Sequence, residues 1–583
     1  MKYTITYKNP TNQFLAIEAE FDCTSESELE LQFPAWRPGR YELGNFAKNV
    51  KNFAIVDENN QKVNFNKIGK DKWSVNCEDA STIKVYYYYY ASELNAGSSF
   101  MDDTQLYVNP VNCLIYIENR QNENCSLHLE IPSNFKIACG AKYEGNTIQC
   151  EDFHELMDSP FIASATLQHQ TYSVFGITFH LWFQGEVNLD WPKIISDFEK
   201  FTKTQLEKFS DRKTKTVGFP VKEYHFLYQI LPVKAYHGVE HKTGTVVALG
   251  PTSELMNRLY DDFLGVSSHE LYHVWNIKSI RPKEMYPYNY AKENFSELGY
   301  IAEGVTTYLG DLFLAESQVK DFQWYKFEFE KLLQKHFDNF GRFNYSVAES
   351  SWDTWLDGYV KGAPARKVSI YNEGALLAFV TDMMIREGSA NKASIHNVMN
   401  KLYVEFAQKG KGYTEKDYVE ACEFYGEVDF SDLFKNFVHG TLPFESILVK
   451  ALETIGFTLE MEKNPKHSES ILGIKTTIVS EKTVIQDIFP GSTAELGALM
   501  IGDEVMSVNG LRVEKDINKV ISFFQEVQLE LKINRMGRIL DIICPNTNRT
   551  VYPIYKIKQM PIPSGLNKRI FKAWIGSNWD DSE

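Results

Sequence analysis

Residues 263–276 read FLGVSSHELYHVWN, and the five at their centre, His269-Glu270-Leu271-Tyr272-His273, decide how the rest of the chain is read. The segment is helical in pattern. Four residues make about one helical turn, so both imidazoles leave the same face and can grip one zinc ion, with Glu270 beside them to act on its water. A catalytic zinc takes three protein ligands and keeps one position open. The best third ligand is Glu303 in LGYIAEGVTTYLGDL (298–312), on a second helix 30 residues past His273. Ile301, Ala302 and Val305 make its surroundings apolar, where a carboxylate is costly unless paired or metal-bound; the plainer alternative is an exposed helix carboxylate. Two histidines, a glutamate and a water form a hydrolytic site, with Glu270 taking a proton from water and delivering it to the leaving amine.

Working outward, the strand EYHFLYQIL (223–231) leads into KAYHGVEHKTGT (234–245), where Gly238 permits close backbone approach and Glu240 offers a carboxylate beside the expected cleft. In an aminopeptidase such a carboxylate pairs with the substrate's α-ammonium group. On local sequence alone, a plain loop carboxylate is the favoured reading of Glu240. His237 and His241 flank it as supporting or structural residues, because the three-ligand set is already filled. Further on, VSIYNEGALLAF (368–379) places Tyr371 at the start of an apolar helix. A phenol there can donate to a developing oxyanion, although position alone favours a core or surface tyrosine. A similar opening, His154-Glu155-Leu156-Met157-Asp158, ends in Asp within a strand-rich region and reads as a solvated turn.

The 583 residues carry 61 basic and 77 acidic side chains, a net charge of −16 that opposes nucleic acid and anionic membranes. No stretch approaches the roughly 18 apolar residues of a bilayer span. Six of the eight cysteines fall before residue 151 without a CxxC pair, and with no leader segment visible they read as free thiols in a reducing cytoplasm. The first 165 residues form many short strands, read as an antiparallel sandwich-like domain. The run Tyr86 to Tyr90 places rings on both faces of one strand. Strands and one clear helix follow to about 250, helices dominate to about 445, and MEKNPKHSES (461–470) is polar and linker-like.

GVEH (238–241), HELYHVWNIKSIRPKEMYPYNY (269–290), AEG (302–304) and IYNEGALL (370–377) occur in order, and LQFPAWRPGRYELGNFAKNV (31–50) adds Trp36, Pro38, Gly39 and Tyr41 as a W-x-P-G-x-Y segment. Together they resemble the glycyl aminopeptidase family of zinc metallopeptidases, distant relatives of aminopeptidase N with a thermolysin-like catalytic domain. The resemblance implies His269, His273 and Glu303 as ligands of one zinc per chain, Glu270 as general base and Tyr371 as oxyanion donor. Glu240, beside Gly238, would recognise the free N-terminus. That family usually has two glycines ahead of Leu-Glu-His, and here His237 replaces the first, which bears on the width of the pocket. Residues 471–513 similarly resemble a PDZ domain, with Leu472, Gly473 and Ile474 as carboxylate-binding loop.

The resulting expectation is a multidomain α+β chain: a β-sandwich-like domain (1–165), a thermolysin-like α/β domain (166–340) with a helical part (341–455), a PDZ domain (460–558), and a terminal helix and tail (559–583). Its expected activity is zinc-dependent removal of small N-terminal residues, glycine or alanine, from peptides with a free N-terminus. Expected partners are such peptides and a peptide C-terminus at the PDZ domain, with no nucleic acid and no membrane, in the cytoplasm. The rival readings are a zinc endopeptidase and a PDZ scaffold with a vestigial zinc site.

Overall fold

The computed structural model describes residues 1–24, 26–211, 216–360, 362–524, 528–547 and 549–582. The N-terminal region is built on a seven-stranded sheet whose centre pairs Lys2–Thr6, Phe14–Asp22 and Thr82–Tyr90, with two four-stranded sheets beside it. Strict alternation sets which face is buried: Tyr87 and Tyr89 point inward, while Tyr88 and Tyr90 are each 41% exposed. The expected antiparallel pattern holds with one correction, since Lys2–Thr6 pairs in parallel with Cys125–Glu130. A strand far along the chain returned beside the first, and local pattern carries no record of direction.

The loop after Gln32 leaves this region and seats Trp36 on the catalytic half. Trp36 is fully buried, edge-on to Tyr288 and Trp355, and its indole donates to Asn289 O at 2.6 Å. Burial of such a ring is worth on the order of 4–6 kcal/mol, enough to anchor the loop.

The catalytic half carries a five-stranded sheet in the order Gln168–Val174, Ile177–Gln184, Glu223–Ile230, Gly244–Gly250, Ala235–His241. Three neighbouring strands run parallel, and Ala235–His241 closes one edge antiparallel to Gly244–Gly250. One face packs on the helices Trp191–Lys208 and Tyr260–Tyr272, and the other meets Ala96, Tyr107, Ala138 and Ile162 of the N-terminal region. A π-helical segment, Tyr300–Val305, runs into the helix Thr306–Glu316 and crosses Ile370–Gly388 at Gly304 and Gly374, where a Cβ on Gly304 would lie 2.3 Å from Gly374 Cα.

At the C-terminal end, Phe457–Glu462 pairs antiparallel with Ile554–Gln559, and between them hangs a small module with its own core. Its sheet runs Ile474–Val479, Lys482–Ile488, Glu504–Val508, Leu529–Arg535, Arg538–Cys544. The segment expected to be a linker is instead fixed: Asn464 is buried and donates to Tyr552 O and to Glu469. The amphipathic helix Gly565–Ile575 buries Ile570, Phe571, Trp574 and Ile575 in the main core, and Trp574 donates to Tyr308 OH at 2.8 Å. Among the described residues no helix is long and apolar enough to cross a membrane.

Candidate active site

The helix Tyr260–Tyr272 carries His269 and Glu270, and His273 caps its end. Its Nδ1–H donates to Asn276 O at 2.8 Å, which turns Nε2 toward His269 and Glu303. Asn276 is fixed in turn by donating to Ile301 O and Ala302 O, the two residues ahead of Glu303. One side chain thus holds the imidazole and the neighbouring helix together.

Nε2 of His273 lies 3.0 Å from Nε2 of His269 and 3.5 Å from Oε2 of Glu303, and His269 and Glu303 are 3.9 Å apart. Tetrahedral zinc with bonds near 2.0–2.1 Å would set its ligand atoms about 3.3–3.4 Å apart, so this triangle fits the ion. Glu303 is 3% exposed, and its second oxygen accepts from Tyr41 OH at 2.8 Å. Burial pushes His269 down to about 3, whereas Glu303 and Glu240 outweigh burial at His273 and raise it to about 10. His180, Glu223 and His225 form another candidate metal group on the sheet. There the two imidazoles stack parallel at 2°, so their in-plane lone pairs run side by side rather than converging, and Trp182 already donates to His225 Nδ1.

Glu270 faces the edge strand: a Cβ on Gly238 would sit 2.1 Å from its Oε1, so only glycine lets the strand pass so close. Burial pushes Glu270 up to about 8, reinforced by Glu240 and Glu303 and opposed by His273. Among the described residues its Oε2 is buried without a partner, as is Oε1 of Glu240, two strand positions beyond Gly238 on the same face. Tyr371 begins the helix Ile370–Gly388 with its hydroxyl 3.3 Å from that of Tyr359. Burial and the nearby Glu303 push the phenol well above its ordinary range, so it keeps its proton to donate.

The candidate residues His269, Glu270, His273, Glu303, Gly238, Glu240 and Tyr371 therefore line one cleft, whereas Leu472, Gly473 and Ile474 lie in the C-terminal module with a separate core. His241 is structural, its Nδ1 3.1 Å from Asp158. That contact corrects the reading of residues 154–158. Phe153–Met157 is a short helix, and Asp158 takes a hydrogen bond from buried Lys278 at 2.7 Å and another from Lys242 N. Burial opposes ionisation of Asp158, but Lys278 and His241 outweigh it and hold the carboxyl well below its usual range. Its partners lie 83 and 120 residues away, beyond any local pattern. Arg37, Tyr41 and Tyr359 also reach the cleft unforeseen. For Tyr41 a signal existed, since it belongs to the W-x-P-G-x-Y segment, but nothing local ties that segment to Glu303.

A two-histidine, one-glutamate cluster with a buried carboxylate beside it, set under the edge of a sheet, defines a metallopeptidase. The comparisons narrow this: residues 2–165 match the peptidase M61 N-terminal domain and residues 262–377 match the M61 glycyl aminopeptidase domain. Over these residues the chain matches that family. A crystal structure of an aminopeptidase N family protein from Idiomarina loihiensis superposes with a TM-score of 0.90 at 23% identity, covering 98% of this chain and 99% of that one, and so shares its fold. An M1 zinc metallopeptidase from Deinococcus radiodurans matches with a TM-score of 0.47 at 13% identity over 76% of this chain and 94% of its own. No curated protein matches the sequence.

Proposed function

We propose that the chain is a zinc aminopeptidase that removes small N-terminal residues from peptides. The observation that carries this is the pair of partnerless buried carboxylate oxygens, on Glu240 and Glu270, flanking the one cleft that also gathers His269, His273 and Glu303. Those three residues would hold zinc, which supplies Lewis acidity toward water and the scissile carbonyl. Glu240 receives the α-ammonium group and thereby sets which peptide bond is presented. Glu270 takes the proton of the attacking water at its free oxygen and returns it to the leaving amine. Tyr371 donates its hydroxyl proton in a hydrogen bond to the developing oxyanion. Tyr41 holds Glu303 in place from the N-terminal region. Gly39 lies against Glu240, where a Cβ would come 2.5 Å from Oε2, so glycine there leaves the carboxylate its place in the cleft.

The test compares a free-amine peptide with its N-acetylated counterpart, using Glu270→Gln as control. Equal cleavage of both peptides would favour an endopeptidase, and no cleavage of either by zinc-loaded protein would favour a scaffold. The same reading takes the module between Asn464 and Tyr552 as a PDZ domain. Ile474–Val479 lies at the edge of its sheet, next to Gly473 in a left-handed turn at φ 79°, which is the form a peptide C-terminus would extend. A cytoplasmic setting belongs to the proposal too, supported by eight free and buried cysteines.

A further inference from the structure

The face of the helix Tyr260–Tyr272 that presents His269 continues one turn back to Gly265 and nearly a further turn to Asp262. The helix Thr306–Glu316 lies against it there. A Cβ on Gly310 would sit 3.1 Å from His269 Cα, and one on Gly265 would sit 3.7 Å from Oδ1 of Asp311, so Asp311 stands one helical turn from the metal cluster. From the other side comes Tyr236, which shares its face of the edge strand with Gly238 and Glu240 and is 61% exposed. Asp311, Asp262 and Glu270 all act on its phenol, which sets them around one stretch of open cleft. Among the described residues neither Asp262 nor Asp311 is bonded to a base, whereas Asp261 is taken by Lys320 and Glu328 by Lys331. Burial, then Glu328, pushes the Asp311 carboxyl up to about 7 against Lys331 and Lys335, as happens to an enclosed acid with no cation bonded to it.

We infer that Asp311 and Asp262 receive the cationic side chain of a lysine or arginine at the second position of the peptide, so that the enzyme favours a basic second residue behind a small first one. This rests on the aminopeptidase reading, and the direction of the peptide in the cleft follows from it. Glu240 holds the α-ammonium group, and Glu270, which protonates the leaving amine of the second residue, lies against Gly238. A peptide that passes from Glu240 to Gly238 continues toward Tyr236, antiparallel to the strand Ala235–His241 at the edge of its sheet. The partnerless Oε2 of Glu270, on a residue 5% exposed, independently marks that point as one where a proton-bearing group arrives. From His269 to Gly265 is about 6 Å along the helix axis, a distance that a lysine or arginine side chain spans. The first residue lies across the scissile bond from these acids. Asp262 is exposed and Asp311 only partly buried, so the contact is worth about fivefold in kcat/KM at low salt.

The experiment measures kcat/KM of the zinc-loaded full chain on the peptide amides Ala-X-Ala-Ala, with X lysine, arginine, glutamine or glutamate, at low and high salt, for the wild type and for Asp262→Asn combined with Asp311→Asn. The expected result is a Lys:Gln ratio of about five at low salt, a rate for glutamate below that for glutamine, and a ratio near one in the double variant. Raising the salt should narrow the gap in the wild type, which reads the same contact without any variant should the double variant fail to fold. A wild-type ratio at or below one, a ratio indifferent to salt, or a ratio unchanged in a folded double variant overturns the inference. So does a preference present in Ala-Ala-X-Ala and absent from Ala-X-Ala-Ala, which would seat the cation on the third residue. N-acetylated Ala-Lys-Ala-Ala amide cleaved as fast as the free amine overturns instead the aminopeptidase reading beneath it.

Discussion

Gly374→Ala tests whether the crossing of two helices sets the distance between the metal cluster and Tyr371. Gly374 lies three residues past Tyr371, and Gly304 directly follows Glu303. A Cβ at position 374 would lie 2.5 Å from Tyr300 O, 2.8 Å from Gly304 Cα and 3.0 Å from Tyr300 Cα. All three are backbone atoms within one helix, so no side chain can rotate away. Restoring ordinary contacts of about 3.5 Å means parting the helices by on the order of 1 Å. Overpacking of this kind costs about 1–3 kcal/mol of stability. A displacement of about 1 Å between groups that must act together costs on the order of 10²-fold in rate. The assay is kcat/KM on an alanyl arylamide with zinc content measured on the same sample. The expected outcome is a loss near 10²-fold with zinc retained, because His269, His273 and Glu303 all lie on the other side of the crossing. Wild-type kcat/KM together with a wild-type melting temperature would show that the helices yield without moving Tyr371, and would refute the reasoning.

Glu303→Ala should lower zinc content far more than Tyr371→Phe, since one removes a ligand and the other a donor; equal metal loss by elemental analysis would undo both assignments. Tyr41→Phe removes the hydrogen bond to Glu303, and chelator competition should show zinc affinity falling about 10- to 100-fold, while unchanged affinity would remove the N-terminal region from the metal site. Glu316 is buried, and although burial opposes its ionisation, Lys208 and His396 outweigh it and hold the carboxyl at about 2. Because its folded pKa is depressed, the stability it adds is present above the ordinary carboxylate range near 4.3 and is lost as pH falls toward 2. Denaturant unfolding between pH 5 and 2.5 should therefore be flatter in Glu316→Gln than in wild type, and parallel curves would contradict the pairing.

The helix around His269 and His273 was legible because its evidence is local: a spacing of four places both rings on one face whatever surrounds them. Glu303 was legible for a related reason, since a carboxylate among Ile301, Ala302 and Val305 needs a partner. The partner's identity was not, because Asn276 and Tyr41 come from other segments. Residues 154–158 show the limit plainly. Their polar composition suits a solvated turn, and only the arrival of Lys278 and His241 turns Asp158 into a tie between the N-terminal region and the strand bearing Glu240. The parallel entry of Lys2–Thr6 beside Cys125–Glu130 escaped for the same reason, since pairing direction is a property of two strands and not of either.

By itself the sequence determined the periodic elements, the zinc-binding spacing on one helix, and the acidic balance of the chain, all of which depend on residues within a turn or two of one another or on simple sums. Tertiary structure alone decided that the Trp36 loop reaches the cleft, that Gly304 and Gly374 meet backbone to backbone, and that Arg37 is buried beside His237. Each of these is a contact between segments separated by tens to hundreds of residues, and closing such loops is governed by the summed burial of the whole core rather than by any local preference.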